Sequence, residues 1–238
     1  MTYQDKRAGD IYNRSIDGTI RAIAEREMQT VDPAHGFDHV RRVVDTATQI
    51  AVAEEAEVSV VRAAAWMHDL VTLPKDNPLS HTSSVMSAKA AAGILSDLGL
   101  SLLFVGSVAH AIEAHSFSAG IEPETLEARI LRDADRIDAL GAIGIARCFA
   151  VSGSIGRPLF HPDDPLAKER SANPSAWCLD TFPSKIFPRI EGVTTETGRM
   201  IAEGRLQYMK EFMTRVGDEL NDFPVPEFGY EEDRGRDS

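Results

Sequence analysis

The sequence has few cysteines and no long hydrophobic run. Cys148 and Cys178 stand far apart and outside any CxxC spacing, which argues against a disulfide framework or a zinc-thiolate site. No apolar run reaches the roughly 18 residues that a membrane span needs. The N-terminal segment 1–7 lacks the apolar core of a signal peptide. These absences predict a soluble, cytoplasmic protein with two free thiols and no membrane partner.

Positive charge is scarce as well. The chain has 25 Lys and Arg against 37 Asp and Glu, which gives a formal net charge of -12. Nucleic acids and anionic membranes are bound chiefly through clustered Lys and Arg. We therefore expect no nucleic-acid groove. Binding of a small anionic substrate remains possible if several cations lie together at one site. The oligomeric state cannot be read from the sequence.

Apolar residues recur at helical spacing, and no alternating run of strand length is present. With 238 residues, of which 43% are hydrophobic, the chain is long enough for a packed core. The pattern predicts an all-α fold. The expected helices cover about 10–28, 38–53, 59–69, 83–98, 102–115, 124–140, a continuation from 141, 176–188 and 195–221.

The chain is predicted to form one helical domain over residues 1–222. Its core would cover about 30–150, followed by a C-terminal helical extension over about 151–222. Within the extension, residues 151–173 are rich in Gly, Pro and Asp, which favours a long loop or lid. Residues 223–238 mix Pro, Gly and acids without periodicity, and they are expected to form a flexible acidic tail.

His68 and Asp69 end a helix-forming run, Ala63–Leu70, that contains no Lys or Arg. An unpaired charge on an apolar helix costs several kcal/mol, by rough estimate, if it is buried. A metal ion would remove that cost, and other predicted helices offer His39 and Asp135 as further ligands. Two imidazoles and two carboxylates suit Mn²⁺, Mg²⁺, Fe²⁺, Co²⁺, Ni²⁺ or Zn²⁺ and leave coordination positions open.

Four segments, Phe37–Val43, His68–Lys75, Ala114–Ser118 and Asp133–Gly144, resemble those of the HD-domain metal-dependent phosphohydrolases. They occur in that family's order and look like the YedJ-type branch of predicted bacterial hydrolases. The resemblance extends to about Leu220.

The resemblance implies an HD-domain helical bundle with one divalent metal ion. Its ligands would be His39, His68, Asp69 and Asp135. A water molecule activated by the ion would attack a phosphate ester or anhydride of a small anionic metabolite, and a nucleotide is the expected substrate. Asp69 would then also be a catalytic residue.

His115 belongs to one of the family-like segments, and we expect it to bind phosphate or transfer a proton. Some relatives use two histidines in this region to hold a second metal ion. His110 and His115 lie about 140° apart on a regular helix, so they reach one site only if the helix ends between them. His110 is therefore either a substrate-binding residue or a core or capping histidine.

Several cations are candidates for binding phosphate oxygens. Lys75 and His81 lie in the loop after the His-Asp pair; Lys75 is also a catalytic candidate, although an exposed Lys is often only surface. Arg132 and Arg136 share one helix side with Arg129. That side is either a solvated face or one from which Arg132 or Arg136 leans over the site as a substrate-binding residue.

Acidic residues next to the ligands have structural interpretations too. Asp38 is expected to cap the second helix, with orientation of His39 as the alternative. Asp138 and Asp135 fall toward the apolar side of their helix, with Asp135 at its edge.

Two other functions remain open. Many nucleotide pyrophosphohydrolases of the superfamily carry a further acid shortly after the His-Asp pair, whereas Leu70–Leu73 is uncharged here. The general acid or base is therefore unassigned. One alternative is a catalytically silent regulatory module that binds metal and nucleotide, and a less favoured one is a di-iron oxygenase that uses His110 and His115.

Overall fold

The structure, a computed structural model, describes residues 12–28, 36–74 and 77–221, and these ranges contain helices, turns and no strand. The predicted all-α fold is confirmed, whereas the predicted tail at 223–238 lies outside the described residues. The α-helices are α1 (Arg14–Glu27), α2 (Phe37–Ala53), α3 (Val58–Met67), α4 (Ser83–Asp97), α5 (Leu102–His115), α6 (Leu126–Asp138), α7 (Gly141–Ser154) and α8 (Glu196–Asn221). Shorter 3₁₀ or π turns cover Ser80–Thr82, Phe117–Ala119, Phe182–Ile186 and Phe187–Gly192.

The first residues of α6 and α2 are fixed in different ways. At α6, the Thr125 hydroxyl accepts a hydrogen bond from the Ala128 backbone N–H, which satisfies one free donor of the first turn. At α2, the cap is Gly36 and makes no side-chain hydrogen bond. The predicted cap at Asp38 is wrong, because the helix already begins at Phe37. Asp38 instead lies exposed in the first turn, where a negative charge suits the helix dipole.

Helices α2, α3, α5 and α6 form the centre of the bundle. Their apolar stripes face one another and are fully buried, for example at Val43 and Ile50 of α2 and Ile130 and Ala134 of α6. This burial of aliphatic surface is the main stabilising contribution to a helical domain of this kind. The packing also brings the start of α2, the end of α3 and the end of α5 against α6.

Two carboxylates from this bundle hold the start of α8. Glu54, just after α2, accepts a hydrogen bond from the Thr197 N–H at 2.7 Å. Asp133 of α6 is fully buried and accepts from the N–H groups of Thr194 and Thr195 at 3.0 and 2.7 Å. Free N–H donors at a helix start favour negative charge. These contacts fix the last helix to the bundle.

The segment between α7 and α8 departs in part from the expectation. Helix α7 continues to Ser154, so the predicted loop over 151–173 begins about four residues later than expected. A regular helix over 176–188 is wrong: a π turn, Phe182–Ile186, is followed by a 3₁₀ turn, Phe187–Gly192. Pro183 and Pro188 explain the difference, because each lacks the N–H that an α-helical turn needs. Cys148 and Cys178, which are distant in the sequence, are both buried, and their Sγ atoms lie 3.8 Å apart.

None of the described helices is by itself long and apolar enough to cross a membrane. Helices α6 and α7 would meet both criteria only as a pair, and they are bent by 62° relative to each other.

A buried glycine in α7 permits a close approach of the chain. A Cβ added to Gly144 would lie 2.1 Å from the backbone oxygen of Ala139, so we expect Gly144→Ala to lower the free energy of unfolding by about 1–3 kcal/mol. Gly153 of the same helix is exposed, and an added Cβ meets nothing within 4 Å. Gly153→Ala should therefore be neutral or raise stability by about 0.5–1 kcal/mol. Urea unfolding of both variants measures the difference, and equal effects would contradict this account of Gly144.

Candidate metal centre

The structure brings four predicted ligands to one place. His39 lies in the first turn of α2, His68 and Asp69 directly follow α3, and Asp135 comes from α6. The Nε2 atom of His39 is 3.4 Å from Nε2 of His68 and 3.3 Å from Oδ1 of Asp135. Oδ2 of Asp69 lies 3.5 Å from His68 Nε2 and 3.9 Å from His39 Nε2.

The spacing of the His39, His68 and Asp135 atoms suits one divalent cation, and Asp69 approaches this group through its contacts with the two histidines. Neighbouring ligands of an octahedral ion with bonds of about 2.1 Å lie about 3.0 Å apart, and those of a tetrahedral ion are somewhat farther apart. Both imidazoles are buried, while the side chains of Asp69 and Asp135 remain 20% and 31% exposed. The two acids therefore face an opening through which water or a substrate oxygen can approach.

Hydrogen bonds to the far side of each imidazole set its orientation. Nδ1 of His68 donates to the backbone oxygen of Ala65 at 2.8 Å, because a carbonyl can only accept. Nδ1 of His39 lies 2.7 Å from Oδ2 of Asp138. Such partners hold the ring and leave Nε2 directed toward a metal ion.

Charges within the cluster shift its pKa values. Burial favours the neutral form of His39, but hydrogen bonds to Asp135 and Asp138 outweigh it and raise its pKa to about 9. Burial also opposes charge on Asp135, yet the hydrogen bond from His39 holds the pKa of that carboxyl well below its usual range. Burial lowers the pKa of His68. A metal ion must displace the proton from His39, so its binding releases a proton.

His115 lies beside the four residues, at the end of α5. Its Nε2 is 3.8 Å from Oδ1 of Asp69, and its ring centre is 5.0 Å from that of His68. Its Nδ1 donates to the backbone oxygen of Ile112 at 2.6 Å, which turns Nε2 inward. His68, Asp69 and His115 thus form a second group with spacing suitable for a metal ion.

His110 faces away from this group, as its spacing predicted, because α5 continues through both histidines. Its Nε2 accepts from the N–H of Glu124 at 3.1 Å, and its Nδ1 lies 3.3 Å from a carboxylate oxygen of Glu113. Neither candidate metal group among the described residues includes His110. Its contacts favour the interpretation as a capping histidine that holds the loop before α6.

A cavity of about 650 Å³ opens next to the two acids. Its walls combine the candidate ligands with hydroxyl groups and cations. The lining residues are Asp69, Thr72, Leu73, Ser80, Ser83, His115, Ser116, Phe117, Ser118, Asp135, Arg136, Ala139, Arg147, Lys185 and Arg189. Four cations thus line one cavity in a chain of net charge -12. Such a local cluster of positive charge is what this acidic chain needs for binding a small anion.

Three of these cations form no ion pair with a carboxylate elsewhere in the described ranges: Arg136, Lys185 and Arg189. Arg136 was a predicted substrate contact. Lys185 and Arg189 were missed, because they lie in the irregular turns between α7 and α8 where helical periodicity gave no face to assign. Their only sequence signal was two cations four residues apart, each closely following a proline.

Two further predicted substrate contacts, Arg132 and His81, do not line the cavity. Arg132 donates to the backbone oxygens of Ala114 and Ile121 and does not line the cavity. His81 is exposed, and its Nδ1 donates to the Pro78 oxygen at 3.1 Å. Lys75 lies outside the described residues.

Asp138 has a larger role than the sequence indicated. It is buried on the apolar side of α6, as predicted, and it contacts the outer side of His39. Its carboxylate also accepts from Arg42 Nε at 2.7 Å, from Arg42 Nη2 at 3.0 Å, and from Arg147. Although burial opposes its charge, hydrogen bonds from His39 and Arg42 hold the pKa of this carboxyl well below its usual range. Asp138, and not Asp38, therefore orients His39.

Residues 36–140 match the sequence model of the HD domain, and this segment holds all four candidate ligands. With this match and the helical architecture, the chain resembles proteins of the HD-domain superfamily. The chain is also similar to YpgQ of Bacillus subtilis strain 168, with 29% identity over 201 residues, which cover 83% of this chain and 90% of YpgQ. The finer assignment to the YedJ-type branch stays a prediction.

Solved structures share this helical architecture, and one of them is described as an HD-superfamily hydrolase. The crystal structure of Bacillus subtilis YpgQ in complex with ADP superposes with a TM-score of 0.66 at 27% identity, covering 89% of this chain and 96% of YpgQ. An HD-superfamily hydrolase from Bacillus thuringiensis superposes with a TM-score of 0.69 at 25% identity, covering 88% of this chain and 98% of that one. These neighbours indicate a metal-dependent hydrolase.

Proposed function

We propose that this chain is a metal-dependent phosphohydrolase that cleaves a phosphate ester or anhydride of a nucleotide. One observation carries the proposal: a single cavity joins a set of candidate metal ligands to cations that have no carboxylate partner in the described ranges. Phosphate oxygens are the group that both would bind. The ADP in the YpgQ crystal structure supports a phosphorylated ligand.

In this proposal, each residue of the cluster has a separate task. His39, His68, Asp69 and Asp135 hold the divalent ion. An ion at this position supplies Lewis-acid chemistry and lowers the pKa of a water molecule. His115, whose Nε2 faces Asp69, is placed to contact a phosphate oxygen or to move a proton at Nε2.

The cations act on the substrate side of the cavity. Arg136 directly follows the candidate ligand Asp135, while Lys185 and Arg189 come from the turns before α8. Their guanidinium and ammonium groups would bind phosphate oxygens through charge-assisted hydrogen bonds. Arg147 already forms an ion pair with Asp138, which partly balances its positive charge. We therefore expect it to bind phosphate less strongly than the other three cations. The C-terminal extension thus completes a site whose ligands belong to the core.

Removal of the metal ion tests the proposal. We expect purified protein with Mn²⁺, Co²⁺ or Ni²⁺ to release phosphate, pyrophosphate or nucleoside from at least one member of a panel of nucleoside mono-, di- and triphosphates. Treatment with a chelator should abolish release, and added metal should restore it, because the four ligands have no catalytic use without the ion. Coupled phosphate and pyrophosphate assays, with chromatography of the nucleoside, measure these products.

Calorimetry beside the same panel separates the alternatives. Tight nucleotide binding by the metal-loaded protein without turnover would favour the silent regulatory module and contradict catalysis. Protein that neither binds nor cleaves any member would remove both ideas. Metal analysis with clearly fewer than two ions per chain would remove the di-iron interpretation.

A further inference from the structure

Phe117 is an exposed aromatic residue in the wall of the candidate active-site cavity. Its side chain is 78% exposed, and it starts the 3₁₀ turn two residues after His115. A Phe ring in water gives up the large stabilisation that aromatic burial provides. The core of the bundle does not use this ring. Phe117 lines the same cavity as Asp69 and Asp135, so a ligand in that cavity could cover the ring.

One side of this ring is supported by a cation. The guanidinium carbon of Arg136 lies 5.4 Å from the centre of the Phe117 ring, which is within range of a cation–π interaction. The absence of a side chain at Gly192 leaves room for Arg136, since a Cβ on Gly192 would lie 2.1 Å from Arg136 Nη1. The guanidinium group thus lies near the ring, while most of the Phe117 side chain stays exposed.

We propose that Phe117, backed by Arg136, is the platform on which the nucleobase of the substrate stacks. The inference rests on the proposed function, because it assigns the base-binding part of the same cavity. Planar heteroaromatic bases stack on aromatic side chains with little regard to base identity. The site would therefore select nucleotides over sugar phosphates or inorganic polyphosphates, and it would discriminate weakly among bases.

The surroundings of the ring suit a base with a phosphate tail. A cavity of about 650 Å³ lies within the usual size range for a small-molecule site. Ser116 and Ser118 flank the ring and lie 2.9 Å apart through their hydroxyl oxygens. Hydroxyls can donate or accept, so they can meet the polar edge of any base. The cations of the same cavity, Lys185 and Arg189 together with Arg136 beside the ring, are available to the phosphates.

The contribution of the base can be measured by comparing two ligands whose P–C–P bridge resists hydrolysis. The first is α,β-methylene-ADP. The second is methylenediphosphonate, which has the same two phosphorus groups but no nucleoside. With Mn²⁺-loaded protein, we expect Phe117→Ala to lower the affinity for α,β-methylene-ADP about 10-fold or more, as measured by calorimetry. Binding of methylenediphosphonate should stay within about 2-fold. Phe117→Trp should keep or improve binding of the nucleotide analogue, since it keeps a stacking face.

Leu103→Ala is the matched control, because Leu103 is also an exposed apolar residue but does not line the cavity. It should change neither affinity. Equal weakening of both ligands by Phe117→Ala, or no weakening of either, would overturn the platform. So would wild-type protein that binds the two ligands equally well. The measurement needs no turnover: an inert wild type with base-dependent binding refutes hydrolysis alone, whereas active protein with unchanged binding refutes the platform alone.

Discussion

Replacement of Asp69 by alanine should remove bound metal and hydrolysis together. The carboxylate lies 3.5 Å from Nε2 of His68 and 3.8 Å from Nε2 of His115, and it forms a candidate metal group with these two histidines. Loss of a supporting residue around a metal site costs about 10- to 100-fold in affinity, and loss of a direct ligand should cost at least about 100-fold. At micromolar metal, turnover should fall by a similar factor or more. Metal titration and steady-state assays measure the two losses.

The fold should survive this replacement. The Asp69 side chain is partly exposed and lies in a turn after α3, outside the aliphatic core. Asp97→Ala serves as the control, because Asp97 is an exposed acid at the end of α4, and it should change neither metal content nor turnover. An Asp69→Ala protein that keeps full metal affinity would show that the ligand set is wrong. If it keeps metal and loses only turnover, Asp69 acts on the substrate rather than on the ion.

The sequence predicted the parts of the molecule that are encoded locally. Helical periodicity and breakers located α2 to α6 within a few residues. His68 and Asp69 were identified because they lie on an apolar run without Lys or Arg, where a buried charge needs an oppositely charged group or a metal ion nearby. His39 and Asp135 followed from the family-like segments around them. The structure brings these four side chains together, although their role as ligands stays a prediction.

The sequence could not predict contacts between distant positions. Asp138 contacts His39 across 99 positions and Arg42 across 96, and no local pattern distinguishes it from other buried acids. Lys185 and Arg189 reach the cavity only through the irregular path that Pro183 and Pro188 impose. Local capping preference pointed to Asp38, whereas a tertiary contact determines the orientation of His39.

Removal of the Asp138 carboxylate should produce the largest loss of stability. In Asp138→Ala, the guanidinium groups of Arg42 and Arg147 and the Nδ1 of His39 would lose a common partner. Breaking a buried ion pair from one side costs about 3–5 kcal/mol. The side chains of Arg42 and Arg147 are 33% and 17% exposed, and water can partly solvate them. We therefore expect a loss of about 3 kcal/mol in the free energy of unfolding, measured by urea denaturation without metal.

The same carboxylate should control metal affinity in a milder variant. Asp138→Asn keeps the size of the side chain and one acceptor oxygen, but it removes the charge that favours a proton on Nδ1 of His39. The tautomer with a free Nε2 is then less favoured, and we expect metal affinity to fall about 10- to 100-fold. Calorimetric titration of folded protein with Mn²⁺ measures this change.

Asp133→Asn separates loss of stability from loss of metal binding. Asp133 is a buried acid of the same helix, but it accepts hydrogen bonds from Thr194 and Thr195 at the start of α8. Its replacement should lower stability and leave the metal affinity of the folded protein unchanged. If Asp133→Asn and Asp138→Asn weaken metal binding equally, the effect comes from general destabilisation of α6. A selective effect of Asp138→Asn means that this carboxylate acts through His39, at a distance from the ion itself.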